Sequence, residues 1–185
     1  MNNEIGKLTT PLGLSHLVLH VRNIEESHSF WTEVVGFRHV GSRVPTPEQP
    51  TALTMRFYVG DRPVKNHHDL AMIEVPTLPA PTSEFPASFH HVAIAFPDRQ
   101  AWLDRLAHLQ GRGVKFERRV EHGMTHSLYI RDPNGYGVEL LYDMPKEVWE
   151  GDLNSALNYL DDLPTTGDEA LHDRVEDIPV FNAKS

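Results

Sequence analysis

Leu-Ser-His-Leu-Val-Leu-His-Val (residues 14–21) and Phe-His-His-Val-Ala-Ile-Ala-Phe (residues 89–96) are two versions of one pattern. Side chains alternate faces along a strand, so His16, Val18 and His20 share one face, as do His91, Ala93 and Ala95 in the second stretch. The segments after these two strands also repeat. Asn23 is suited to cap a helix over residues 24–35, with Ile24, Phe30, Trp31, Val34 and Val35 as its apolar stripe and Gly36 as its stop. Asp98 does the same for a second helix, which buries Trp102, Leu103, Leu106 and Leu109 and ends at Gly111 and Gly113. Three strand candidates come after each helix: residues 37–44, 54–60 and 68–75, then residues 114–120, 126–131 and 137–142. Asp132-Pro133-Asn134-Gly135 is a hairpin turn between the last two.

The order is therefore βαβββ written twice, with His16 and His91 75 residues apart. The predicted fold is α+β in one domain. Its modules span residues 1–75 and 89–144, joined by a linker over 76–88 that carries Pro76, Pro79, Pro81 and Pro86. Two such modules build a curved eight-stranded mixed sheet with helices outside, and the concave face is the natural site. Residues 145–185 read as a C-terminal tail. A helix is expected over 148–163, with Trp149, Leu153, Leu157 and Leu160 as its apolar positions.

Composition narrows the function. The 185 residues include 17 Lys plus Arg and 26 Asp plus Glu, a formal charge of −9. That balance argues against nucleic-acid binding, whose affinity comes largely from neutralising phosphates. No apolar run reaches the roughly 20 residues of a membrane helix. The first residues lack an apolar signal core, so the expected location is the cytoplasm. Cys is absent, which removes disulfides, thiolate metal sites and Cys nucleophiles together. Histidine is abundant instead: 12 His against 5 Met and 3 Trp. It is the commonest metal ligand and titrates near neutral pH.

Three residues combine into a ligand set. His16 and His91 occupy equivalent faces of equivalent strands. Glu139 lies inside the apolar strand Gly-Val-Glu-Leu-Leu-Tyr, where a carboxylate must be paired, protonated or bound to a metal. Two imidazoles and one carboxylate are the facial triad of non-haem Fe(II) oxygenases, which leaves positions open for substrate and O2.

The repeated modules, with this ligand set, resemble the vicinal oxygen chelate superfamily, which includes glyoxalases, bleomycin resistance proteins and extradiol dioxygenases. Over residues 12–143 the chain is most similar to the type I extradiol ring-cleavage dioxygenases, in a short form with one pair of modules. The resemblance implies His16, His91 and Glu139 as ligands of Fe(II), with Mn(II) equally suited to them. Asn66-His67-His68-Asp69-Leu70-Ala71 is similar to the family segment that holds an acid–base His, so His68 takes that role. His122-Gly123-Met124-Thr125 is similar to the segment with a second active-site His; His122 fits it, with His126 as the alternative. Tyr129, ten residues before Glu139, resembles the Tyr that hydrogen-bonds the bound catecholate.

The reaction implied is extradiol cleavage of a catechol-type diol by O2 to a muconic semialdehyde-type product, a step of aromatic hydrocarbon catabolism, in a homo-oligomer. Many glyoxalase-like members take a fourth ligand, usually Glu, from the last strand of the first module. Aligning that strand with the Glu139 strand sets Ala71 there, and Ala cannot ligate. Glu74 is expected to face the other way. Two alternatives remain: an O2-independent metal enzyme of the superfamily, a glyoxalase-like lyase or isomerase, and a metal-free binding protein using the same cleft.

Overall fold

A computed structural model describes residues 14–61, 67–82, 89–175 and 178–182. Asn66 of the segment before His68, Pro86 of the linker and the first 13 residues lie outside the described residues. The chain forms two compact units, Met1–Leu78 and Pro79–Ser185.

The first unit contains β1 (Leu17–Val21), a helix α1 (Ile24–Ser29) that continues as a wider π-turn over Phe30–Val35, β2 (Arg38–Arg43), β3 (Met55–Val59) and β4 (Leu70–Glu74). Asn23 Oδ1 accepts the backbone N–H groups of Glu25 and Glu26, as an N-cap should. Gly36 ends the helix at φ 96°, the left-handed geometry that glycine adopts without strain. The strand order is β1-β4-β3-β2, with β1 parallel to β4 and the other pairs antiparallel. Leu19 and Val21 are buried with Trp31 and Val35, whereas His16, Val18 and His20 lie on the exposed face of the strand.

The second unit repeats the plan with β5 (His91–Ala95), α2 (Arg99–Gly111), β6 (Arg118–His122), β7 (Thr125–Arg131) and β8 (Gly137–Asp143). Asp98 Oδ1 caps α2 at the Ala101 N–H. Trp102, Leu106 and Leu109 are fully buried, and the Trp102 indole N–H donates to the Leu140 carbonyl at 2.8 Å, tying helix to sheet. Gly137 is required where β8 meets β5, since a Cβ there would stand 2.2 Å from the His90 carbonyl oxygen. That close approach fixes the spacing between His91 and the Glu139 strand.

Three expectations change. The eight strands divide equally between two sheets, and a ninth joins the second. Residues 148–163 do not form one helix: α3 (Lys146–Trp149) passes through a 3-10 turn into α4 (Leu153–Asn158), and Leu160–Leu163 then form β9. β9 pairs antiparallel with β6, giving the order β5-β8-β7-β6-β9. The open edge of β6 offers unpaired N–H and C=O groups, and pairing satisfies them. Leu153, Leu157 and Leu160, the expected apolar stripe, stay exposed at 46 %, 61 % and 49 %. Strand β6 also starts later than residue 114, because the Val114 N–H is spent closing α2 on the Leu109 carbonyl.

Candidate functional site

In the second sheet, pairing register decides which side chains meet. Tyr129 pairs with Glu139 across β7 and β8, and Arg118 with Tyr129 across β6 and β7. Ala93 pairs with Glu139, so His91 stands one step along the same face. The result is a chain of contacts. His91 Nε2 lies 3.0 Å from Glu139 Oε2. The Tyr129 hydroxyl donates to Glu139 Oε1 at 2.7 Å. His122 Nε2 is 3.1 Å from the same hydroxyl oxygen.

The electrostatics follow from burial. Glu139 is 5 % exposed yet both its oxygens have partners. Burial raises the Tyr129 phenol well above its ordinary range, and the hydrogen bond and charge of Glu139 push the same way, so it stays a neutral donor. Burial lowers the His122 imidazole, against the opposing pull of Glu139 and a hydrogen bond with the Tyr159 backbone. A cavity of about 300 Å³ opens beside these residues, lined by His90, His91, Tyr129, Arg118, Arg131 and Gly137. That volume is at the lower end of small-molecule sites.

The remaining site residues of the sequence reading belong to the first unit. His16 and His68 have ring centroids 4.4 Å apart, and His67 stacks at a tilt on His68 at the same separation. Burial lowers His68, and the neighbouring His16 and His67 add to it. The register repeats across units: Val18 pairs with Ala71 in β1–β4 as Ala93 pairs with Glu139 in β5–β8. Ala71 is thus the counterpart of Glu139. Glu74 turns away, its Oε1 accepting the Ile24 N–H at 3.0 Å as α1 begins.

His126 sits on the opposite face from Tyr129. There Glu121, His126 and Asp173 offer ligand atoms within 4.8 Å of one another and could hold a metal ion. Sequence reasoning missed this cluster, because Asp173 comes from a tail with no periodic signal. Asp173 already has three side-chain partners: it accepts from His126 Nδ1 at 2.6 Å, the Tyr142 hydroxyl at 2.7 Å and Arg99 Nε at 2.6 Å. Glu121 Oε1 is buried and has no hydrogen-bond partner among the described residues.

Residues 13–140 match the model of the Glyoxalase/Bleomycin resistance protein/Dioxygenase superfamily. The chain belongs to that superfamily. Biphenyl-2,3-diol 1,2-dioxygenase 2 of Rhodococcus globerulus is 37 % identical over 79 residues, which cover 43 % of this chain and 42 % of the relative. The chain thus aligns with less than half of that relative's length. Lactoylglutathione lyase of Pseudomonas putida is 27 % identical over 163 residues, covering 74 % of this chain and 88 % of the relative. A crystal structure of a glyoxylase/bleomycin resistance protein/dioxygenase domain from Frankia sp. EAN1pec superposes with a TM-score of 0.57 at 17 % identity, over 73 % of this chain and 100 % of that one. The last likeness establishes the superfamily fold. The relatives of this chain include both dioxygenases and lyases. Among the described residues no helix is long and apolar enough to cross a membrane.

Proposed function

We propose that the chain is an Fe(II)-dependent extradiol dioxygenase that opens the ring of a catechol-type diol with O2. The observation that carries this reading is Ala71. At the position equivalent to Glu139 it offers no donor, so the donor set has three members, His16, His91 and Glu139, and not four. Three protein ligands leave room for both oxygens of a diol and for O2. The 3.0 Å between His91 Nε2 and Glu139 Oε2 fits two donors on one ion, since bonds of about 2.1 Å at a right angle separate their atoms by about 3 Å.

The metal, Fe(II) or Mn(II), would supply a Lewis acid that brings diol and O2 together and polarises them. The rest falls to side chains. Tyr129, neutral and held by Glu139, offers its hydroxyl oxygen to the substrate's hydroxyl. His122, kept neutral by burial, orients Tyr129 from behind. His68, also kept neutral, serves as base and then acid for the proton that moves during ring opening. His68→Gln is expected to retain metal and diol binding while turnover falls about 10²- to 10⁴-fold, the usual contribution of a positioned acid–base group. Steady-state kinetics beside anaerobic binding titrations check this; unchanged turnover would remove His68 from the mechanism.

The proposed ligand set has a rival in Glu121, His126 and Asp173, and metal analysis separates the two. After loading with Fe(II), His91→Ala is expected to lose the bound metal and Glu121→Gln to keep it. The reverse result would move the metal to the Glu121 cluster and sink the reading.

A further inference from the structure

The match to the superfamily ends at residue 140, and the segment beyond it reaches the site from behind. β9 lies along β6 with Leu160 paired to His122, and the backbone of the preceding Tyr159 hydrogen-bonds the His122 ring. The next residue, Gly123, has no room for a side chain: a Cβ would stand 2.7 Å from the Ala156 backbone and 2.7 Å from the Phe181 ring. Phe181 is itself pinned. Its N–H donates to the Val148 carbonyl at 2.7 Å, its ring packs on Tyr159 with centroids 5.5 Å apart, and its carbonyl oxygen lies 2.8 Å from where a Cβ on Gly151 would be. The turn that carries His122 is therefore clamped from two sides by a tail the superfamily match does not include.

We propose that the Tyr159–Phe181 clamp is a positioning element for His122, and through the His122–Tyr129 hydrogen bond sets how the site binds an ionisable diol. A side chain whose neighbours fix its rotamer holds its partner more tightly than one left to choose. The influence of Phe181 on Tyr129 and Glu139 passes through His122. The proposal rests on the dioxygenase reading for its substrate class.

The test is a double-mutant cycle on the full Fe(II)-loaded chain, combining Phe181→Ala with His122→Gln. The probe is 4-nitrocatechol bound without O2, since its absorbance reports both binding and ionisation. Phe181→Ala is expected to keep its metal, weaken probe binding about tenfold or more, as loss of an outer supporting partner does, and shift the bound probe towards its more ionised spectrum, because the acceptor that holds the diol's hydroxyl proton is loosened. Phe181→Leu should restore most of both. In the His122→Gln background the Phe181 change should add little, because both act through one side chain. Should Phe181→Ala fail to fold, Phe181→Leu takes its place in the cycle, with a smaller but equally non-additive effect. Tight binding by the wild type with additive losses, or no loss at Phe181, would overturn the clamp and leave the dioxygenase reading standing. Failure of the wild type to bind the probe at all would overturn the reading and the clamp with it.

Discussion

Glu139→Ala is expected to abolish metal retention and O2-dependent turnover together, a loss well beyond the roughly 10- to 100-fold that follows removal of an outer hydrogen-bond partner. The carboxylate has two tasks. One oxygen faces His91 Nε2 at 3.0 Å, and the other accepts from Tyr129 at 2.7 Å. On the proposed reading its removal deletes a metal ligand, and it leaves the Tyr129 hydroxyl without its acceptor. Metal analysis and O2 uptake on the same sample check the pairing of the two losses. A variant that keeps its metal but not its activity would make Glu139 a proton-transfer group, not a ligand.

Asp173→Asn is expected to destabilise the second unit by about 3–5 kcal/mol, the cost of breaking a buried charged network by removing one partner. The Asp173 side chain is fully buried, and His126, Tyr142 and Arg99 all converge on it. Burial alone would raise its carboxyl, but the hydrogen bonds from His126 and Tyr142, with Arg99, outweigh it and hold the group below its ordinary 3.8. A depressed carboxyl stabilises the fold above that ordinary value and loses the contribution as pH falls through the folded value. The gap between wild type and Asp173→Asn should therefore be full at neutral pH and close in acid. Denaturant unfolding at several pH values measures it. A gap independent of pH would mean that the carboxylate's charge is not what the network needs. Glu121 works in the opposite sense: burial pushes its carboxyl up, so its ionisation costs stability as pH rises, and Glu121→Gln should be neutral or stabilising at pH 7.

Much of this was legible in the chain because two signals were written twice. The His-x-Val-x-His and His-x-Ala-x-Ala alternation set the faces of β1 and β5, and Asn23 and Asp98 marked both helix starts. Spacing alone brought Tyr129 and Glu139 to one register position, ten residues apart around a tight turn. The sequence favoured His122 with His126 as the alternative, and what separates their surroundings is where β6 ends: Thr125 begins β7, which turns His126 towards Asp173 and leaves His122 beside Tyr129. The tail was misread for a related reason. Leu153, Leu157 and Leu160 have helical spacing, but Gly151 interrupts the helix and the free edge of β6 captures Leu160–Leu163 as a strand. The Asp173 network carries no local pattern, because its partners come from α2, β7 and β8.

The most direct test of the central claim is O2 uptake by the anaerobically Fe(II)-loaded protein given a panel of catechols, with the absorbance of a ring-opened product followed in parallel. The expected result is stoichiometric uptake of O2 and a yellow semialdehyde-type product with at least one catechol. Iron bound, catechol bound and no O2 consumed would contradict it and turn the assignment towards the O2-independent enzymes of the superfamily.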